Sequence, residues 1–200
     1  MLVSLEQTAG RLQELRPRRK WWRRWARRSA VALVLRDDGA GLEALMIRRA
    51  EREGDRWSGH MAFPGGVKAA TDRKTLAAAA RETHEEIGLR LTDHALLHGR
   101  LSDVGTVPHL GQRRPMVVTP YVFGLRSLPP LALNHEVADV LWVPLAFLAD
   151  HGNRERMIWR HLELPCYFYE GQRIWGLSLM MLDELVEQLR APGGIAGQPA

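Results

Sequence analysis

Apolar runs and turn-forming clusters alternate along the chain, and the period of the apolar positions changes from one segment to the next. Residues 30–35 and 42–47 are apolar runs, the second interrupted only by Glu43, on either side of Asp38-Gly39. Two such runs flanking an Asp-Gly turn predict a β-hairpin. The stretch "REGDRWSGHMAFPGG" then predicts a loop, a short strand near 61–63 and a glycine turn. Thr75–Ile87 carries the spacing of a helix, is rich in alanine, and has Gly88 placed as its C-terminal stop. Strands are expected at 96–101 and 116–125, joined by an irregular loop containing Asp103, Gly105, Pro108, Gly111 and Pro115. A strand at 137–143 leads through Pro144 into a short helix at 145–148. Further strands fall at 157–162 and 166–169, with a turn at Gly171. Leu177, Met181, Leu185 and Leu189 recur every fourth residue and predict an amphipathic helix over 177–189.

Before the hairpin, residues 4–15 read as a short helix. Ser4 and Gln7 have capping-box spacing, Leu5, Leu12 and Leu15 share a face, and Pro17 ends it. No repeat and no inter-domain linker is visible. We therefore expect a helix and basic arm over 1–29, one mixed α/β domain over 30–190, and a disordered Gly/Pro-rich tail over 191–200.

Composition changes this picture in two places. The hydrophobic fraction of 46% suffices for a core, and no apolar run is long enough to span a bilayer. The first fifteen residues, broken by Glu6, Gln7, Arg11 and Glu14, do not resemble a signal peptide. Cys166 is the only cysteine, which excludes an internal disulfide and points to a reducing, cytoplasmic setting. The net charge of +5 is local in origin. Arg16, Arg18, Arg19, Lys20, Arg23, Arg24, Arg27 and Arg28 are cations with no acid among them, and without them the balance is −3. Interleaved with Trp21, Trp22 and Trp25, they form a segment over 16–28 suited to weak contact with nucleic acid or an anionic membrane. The alternative is an arm whose indoles pack on the domain while its arginines stay solvated.

The strongest chemical signal is "RETHEEIGL". On a helix, Glu82, Glu85 and Glu86 are neighbours at i, i+3 and i+4, and they lie near the C-terminus, where the macrodipole disfavours anions. Oxygen-rich clusters of this kind suit Mg²⁺ or Mn²⁺. Upstream, Gly65 and Gly66 in "FPGG" let backbone approach a ligand closely.

Together, "GGVKAATDRKTLAAAARETHEEIGL" resembles the Nudix box of Nudix hydrolases. Arg81, Glu82, Glu85, Glu86, Gly88 and Leu89 match its second half, Arg-Glu-aliphatic-any-Glu-Glu-any-Gly-aliphatic. Two positions depart. The stretch from Gly66 to Arg81 is one residue longer than the family pattern, with Arg73 where its first Glu would fall and Asp72 beside it. Thr83 also stands at an aliphatic position. A longer loop with an Asp resembles the coenzyme A pyrophosphatase branch, as do "VVTPYVFGL", "HEVADVLWVPLAFL" and "YFYEGQRIWGLSLMMLDELV". The resemblance implies an α/β/α sandwich on a mixed sheet and cleavage of a nucleoside diphosphate derivative by water with Mg²⁺ or Mn²⁺. It implies Glu82 and Glu86 as metal ligands, Glu85 as a further ligand or the base, and Arg81 as the residue holding the carboxylates. A Gly65 or Gly66 carbonyl is a further ligand candidate, and Glu136 an additional candidate base.

Coenzyme A or acyl-coenzyme A is the expected substrate, with Arg48, Arg49, Arg52 and Arg56 placed to meet its phosphates by forked hydrogen bonding. Trp57 is a candidate to stack a base, while His60, His84 and His109 are better explained structurally. ADP-ribose, dinucleotides, nucleoside triphosphates and capped RNA are alternative substrates. A non-catalytic nucleotide-binding module with a basic arm is the alternative of another class. Relatives of this type often form homodimers, and no segment singles out an interface.

Overall fold

The computed structural model describes residues 2–54, 57–106 and 115–191. Its first helix, α1 (Leu5–Glu14), begins with the expected reciprocal cap between Ser4 and Gln7. A single 3-10 turn at Trp21–Arg24 follows. The hairpin is β1 (Arg27–Asp37) and β2 (Leu42–Arg49), antiparallel with Leu35 opposite Ala44. Then come β3 (Met61–Ala62), β4 (Gly65–Val67), α2 (Thr75–Ile87), α3 (Leu91–His94), β5 (Ala95–Arg100), β6 (Val104–Thr106), β7 (Met116–Leu125) and β8 (Val137–Pro144). The C-terminal part is α4 (Leu145–Ala149), β9 (Arg154–Trp159), β10 (Leu162–Tyr169), β11 (Gln172–Trp175) and α5 (Gly176–Leu189).

The main sheet is mixed. β1 runs parallel to β7 along one edge, while its other edge is shared by β4 near its start and β2 near its end, both antiparallel. β2 continues the sheet to β3 and β8, and β7 continues it to β5 and β6. Strand alternation divides the apolar residues of β1 between two cores. Ala30, Ala32 and Val34 face α2 and pack with Ala79, Ile87 and Leu89. Leu33 and Leu35 face the opposite layer, where α1, α4 and α5 contribute Leu12, Leu145, Leu182 and Leu185. Both faces of β1 are covered, which is why its sequence is continuously apolar rather than alternating. The alanine-rich helix owes its composition to this contact, because small side chains on both partners let α2 settle close to the sheet. The result is the expected α/β/α sandwich.

Three expectations need correction. Gly65 and Gly66 form no turn. They belong to β4, where Gly66 sits opposite Ala30 and Gly65 opposite Val31. Turn chemistry in the sequence was misleading here, because these glycines serve close approach instead. A Cβ on Gly65, whose φ is +150°, would collide with the Ala30 carbonyl and lie 2.6 Å from the Val31 Cα. The segment between β5 and β7 is also not wholly irregular, since β6 pairs with β7 through Val104 opposite Val118. Finally, the strand expected over 157–162 is broken into β9 and β10 by Arg160 and His161, both at positive φ. Of the tail expected over 191–200, residues 192–200 lie outside the described residues.

Candidate active site

Helix α2 and strand β4 bring the acidic residues and the glycines together. The Gly65 N–H donates to Glu86 Oε2 at 2.8 Å. A Cβ on Gly66 would collide with the Glu82 carboxylate. Two of the three glutamates therefore lie against the glycine strand, and only glycine leaves them room. The Gly66 carbonyl accepts from the Ser29 hydroxyl at 2.6 Å. This anchor is invisible in the sequence, since it depends on the register of β1 against β4.

The third glutamate is placed differently. Glu85 is half exposed and ion-paired with Arg81 Nη1 at 2.8 Å. Arg81 is the hub of the acidic face. Its Nη2 reaches Glu82 Oε1 at 3.0 Å, Asp72 Oδ2 at 3.1 Å and the Val67 carbonyl at 3.3 Å. The hydrogen bond that Arg81 donates to Asp72 raises the Arg81 pKa above its ordinary value, and the same contact holds the Asp72 carboxyl below the usual carboxylate range. Asp72 also accepts from the Ala69 N–H at 2.8 Å, which closes the loop before α2.

Glu86 lies outside the reach of the Arg81 hub and beside Arg49. It is 3% exposed, and its pKa is pushed up to about 7. Burial is the main cause, reinforced by the charges of Glu82 and Glu136, while the Gly65 N–H and the Arg49 charge act in the opposite direction. Its position near the helix C-terminus is relieved by a neighbouring loop. The N–H groups of Ala132 and Asn134 donate to the carbonyls of Ile87 and Glu86 at 3.0 and 2.9 Å. That loop approaches so closely that a Cβ on Gly88 would lie 3.1 Å from Ala132. Thr83 fits its aliphatic position because it is fully buried and its hydroxyl donates to the Ala79 carbonyl at 2.7 Å.

A cavity of about 270 Å³ opens beside Glu86. Arg49, Ser29 and Gly65 line its polar end, and Met61, Phe63 and Met181 its apolar wall. Trp57, His60 and Trp175 close another side, and Trp159 stacks behind with its ring centroid 4.7 Å from that of Trp175. Trp57 stands out in the sequence as a stacking candidate, but its meeting with Trp159 and Trp175 does not, because these residues come from the loop before β3 and from the C-terminal hairpin. Trp57 is 45% exposed, so it is not a core residue.

The other expected positions distribute as follows. Arg48 stands opposite Asp139 of β8, separated from Arg49 by a register shift, and does not line the cavity. Glu136 is ion-paired with Arg52 at 3.2 Å and is near enough to influence Glu86. His84 is exposed and accepts from Arg90. Arg56 and His109 lie outside the described residues.

Among the described residues, no three His, Cys, Asp or Glu side chains form a ready-made metal cage. Mg²⁺ does not need one, because it is commonly held by one or two carboxylates together with waters and substrate phosphates. Glu82 and Glu86 suit that mode, being hard oxygen donors on one helix, held against the glycine strand, one of them buried. The donor set therefore fits Mg²⁺ or Mn²⁺.

Comparison with known proteins agrees with this geometry. The NUDIX domain family profile matches residues 25–162. An uncharacterised protein of Schizosaccharomyces pombe is 42% identical over 106 residues, covering 52% of this chain but only 32% of its own length. The mitochondrial coenzyme A diphosphatase NUDT8 of Homo sapiens is 30% identical over 177 residues, covering 82% of this chain and 70% of that protein. In structure, a NUDIX hydrolase from Alicyclobacillus acidocaldarius superposes with a TM-score of 0.55 at 19% identity, covering 81% of this chain and 91% of the other. The glycine strand, the glutamate helix and the sandwich that joins them thus have one common explanation, which is that this chain belongs to the Nudix hydrolase family.

Proposed function

We propose that the protein hydrolyses the pyrophosphate of a nucleoside diphosphate derivative, and that coenzyme A or its acyl derivatives are the substrates. The observation that carries the reaction class is the pairing of Glu82 and Glu86 against Gly65 and Gly66, with Glu86 and Gly65 lining the cavity. Glu82 and Glu86 would hold a divalent ion, which supplies charge neutralisation for the two phosphates and acidifies a water. Arg81 fixes Glu82 and Glu85 in place and limits their reorientation. Glu85, exposed and hydrogen-bonded on one oxygen, serves as a further ligand or as proton acceptor for the attacking water. Glu136 is the alternative acceptor, through release from Arg52.

Substrate choice rests on the cavity and on relatives. The human relative is named as a coenzyme A diphosphatase. Here Arg49 offers a forked donor beside Glu86, and the apolar wall suits the uncharged arm of such a molecule. A single, buried cysteine supports the cytoplasm as the proposed compartment. No described helix is long and apolar enough to cross a membrane.

The test is incubation with Mg²⁺ or Mn²⁺ and a panel of coenzyme A, acyl-coenzyme A, ADP-ribose, NADH, dinucleoside polyphosphates and capped RNA, with products identified by mass. Release of 3′,5′-ADP and a phosphopantetheine from coenzyme A is the expected result. Turnover of another panel member alone would replace the substrate and keep the reaction class. No turnover at all would sink both.

A further inference from the structure

The basic arm is a fixed structure with an organised outer surface. The Arg18 N–H donates to Ser102 Oγ at 2.9 Å, and its carbonyl accepts from the Asp103 N–H at 2.8 Å. The Lys20 N–H reaches Asp103 Oδ2 at 3.3 Å, and Arg23 pairs with the same carboxylate at 3.4 Å. Trp22 lies over Gly105, where a Cβ would come within 2.7 Å of its ring. One indole therefore packs on the domain and fastens the arm.

The other two indoles do not pack in this way. Trp21 is 78% exposed and Trp25 is 64% exposed. They meet edge to face, with centroids 6.0 Å apart and planes 80° from parallel. Around them Arg16, Arg18, Arg19, Lys20, Arg24 and Arg27 are all exposed, and no acidic residue occurs in the sequence between Glu14 and Asp37. Two large apolar rings held in water by a braced turn are costly unless something covers them.

We propose that this arm seats the protein on an anionic lipid surface, with Trp21 and Trp25 entering the headgroup layer and the surrounding cations meeting the lipid phosphates and carboxylates. Indoles favour the interfacial layer, and clustered Lys and Arg are attracted to acidic headgroups. The edge-to-face contact favours lipid over single-stranded nucleic acid. A stacking platform for successive bases needs ring faces that lie roughly parallel, whereas these two planes stand 80° apart. The bracing by Asp103 and Trp22 means that little conformational freedom is lost on docking.

Cosedimentation of the full chain with vesicles of phosphatidylcholine, and of phosphatidylcholine mixed with phosphatidylserine, tests this. Binding is expected only to the acidic vesicles and should weaken about tenfold or more from low to high salt. Trp21→Ala with Trp25→Ala should lower that affinity by about tenfold. Arg19→Glu with Arg24→Glu should lower it by at least about fivefold per residue. Both pairs are exposed, and unchanged thermal unfolding of each variant identifies the loss as one of docking. Absent binding, equal binding to both vesicle types, or binding to a single-stranded RNA oligonucleotide without binding to acidic vesicles would overturn the proposal. So would retention of full vesicle affinity by the folded tryptophan variant.

Discussion

The acidic face of α2 and the basic arm are built on the same plan with the signs exchanged. In each, like charges gather around one opposite charge. Arg81 binds Asp72, Glu82 and Glu85. Asp103 binds Arg23, Arg100 and the Lys20 N–H, and accepts from the Thr119 hydroxyl at 2.9 Å. The difference lies in what each hub leaves out. Arg81 is partly exposed and omits Glu86, whose pKa is raised mainly by burial. Asp103 is wholly buried and leaves the outer arginines in solvent. The charge outside each hub therefore lies beside a cavity in one case and on a surface in the other. A carboxylate buried beside a cavity suits a small ion, while an exposed set of charges suits a broad partner.

The comparison is tested most severely at Glu86. Glu86→Gln should lower metal-dependent turnover by about a thousandfold, because it removes the charge of a proposed metal ligand while keeping the shape. Wild-type rates from this variant would remove Glu86 from the metal site. The same change should stabilise the metal-free protein at alkaline pH. The folded pKa of Glu86 is about 7 against an ordinary value of 4.5. Stability from protonated Glu86 is thus fully present below about pH 4.5 and is lost as pH rises through 7, by roughly 2–3 kcal/mol. Thermal unfolding across pH in a chelator should show this loss, and Mg²⁺ should restore stability above pH 7. A flat profile would show that the carboxylate already has sufficient compensation.

Asp103→Asn should cost about 3 kcal/mol in denaturant unfolding, since it leaves Arg23, Arg28 and Arg100 facing one another without their shared partner. The hub role of Asp103 fails if stability is unchanged. Arg81→Lys should reduce turnover by about 10–100-fold with a small change in stability, because an ammonium cannot reach Asp72, Glu82 and Glu85 together. Loss of folding without a specific loss of rate would instead make Arg81 a structural residue. The smallest effect is expected from Thr83→Val. It forfeits the hydrogen bond to Ala79 but restores an aliphatic side chain, so stability should change by less than about 1 kcal/mol.

Much of the site was legible because it is local. Helix spacing alone makes Glu82, Glu85 and Glu86 neighbours, and Gly88 marks the stop after Ile87. The capping box at Ser4 and Gln7 and the hairpin around Asp38-Gly39 are local in the same way. Gly65 and Gly66 stand out in the sequence but read as a turn, since sequence does not distinguish a glycine needed for a turn from one needed for closeness. Arg48 and Arg49 were indistinguishable as adjacent cations, yet only Arg49 lines the cavity.

The sequence by itself determined the type of each main element, the glutamate-bearing helix and the concentration of positive charge in one arm. These follow from periodicity, caps and spacing within a few residues. Tertiary structure alone decided which glutamate is buried, which arginine faces the cavity, and which of three tryptophans is fastened down. Each outcome depends on a strand register or a loop approach between distant segments: β4 against β1, the loop at Ala132 against Gly88, and Trp22 against Gly105. Burial and charge compensation are properties of those meetings, and no single segment of the chain carries them.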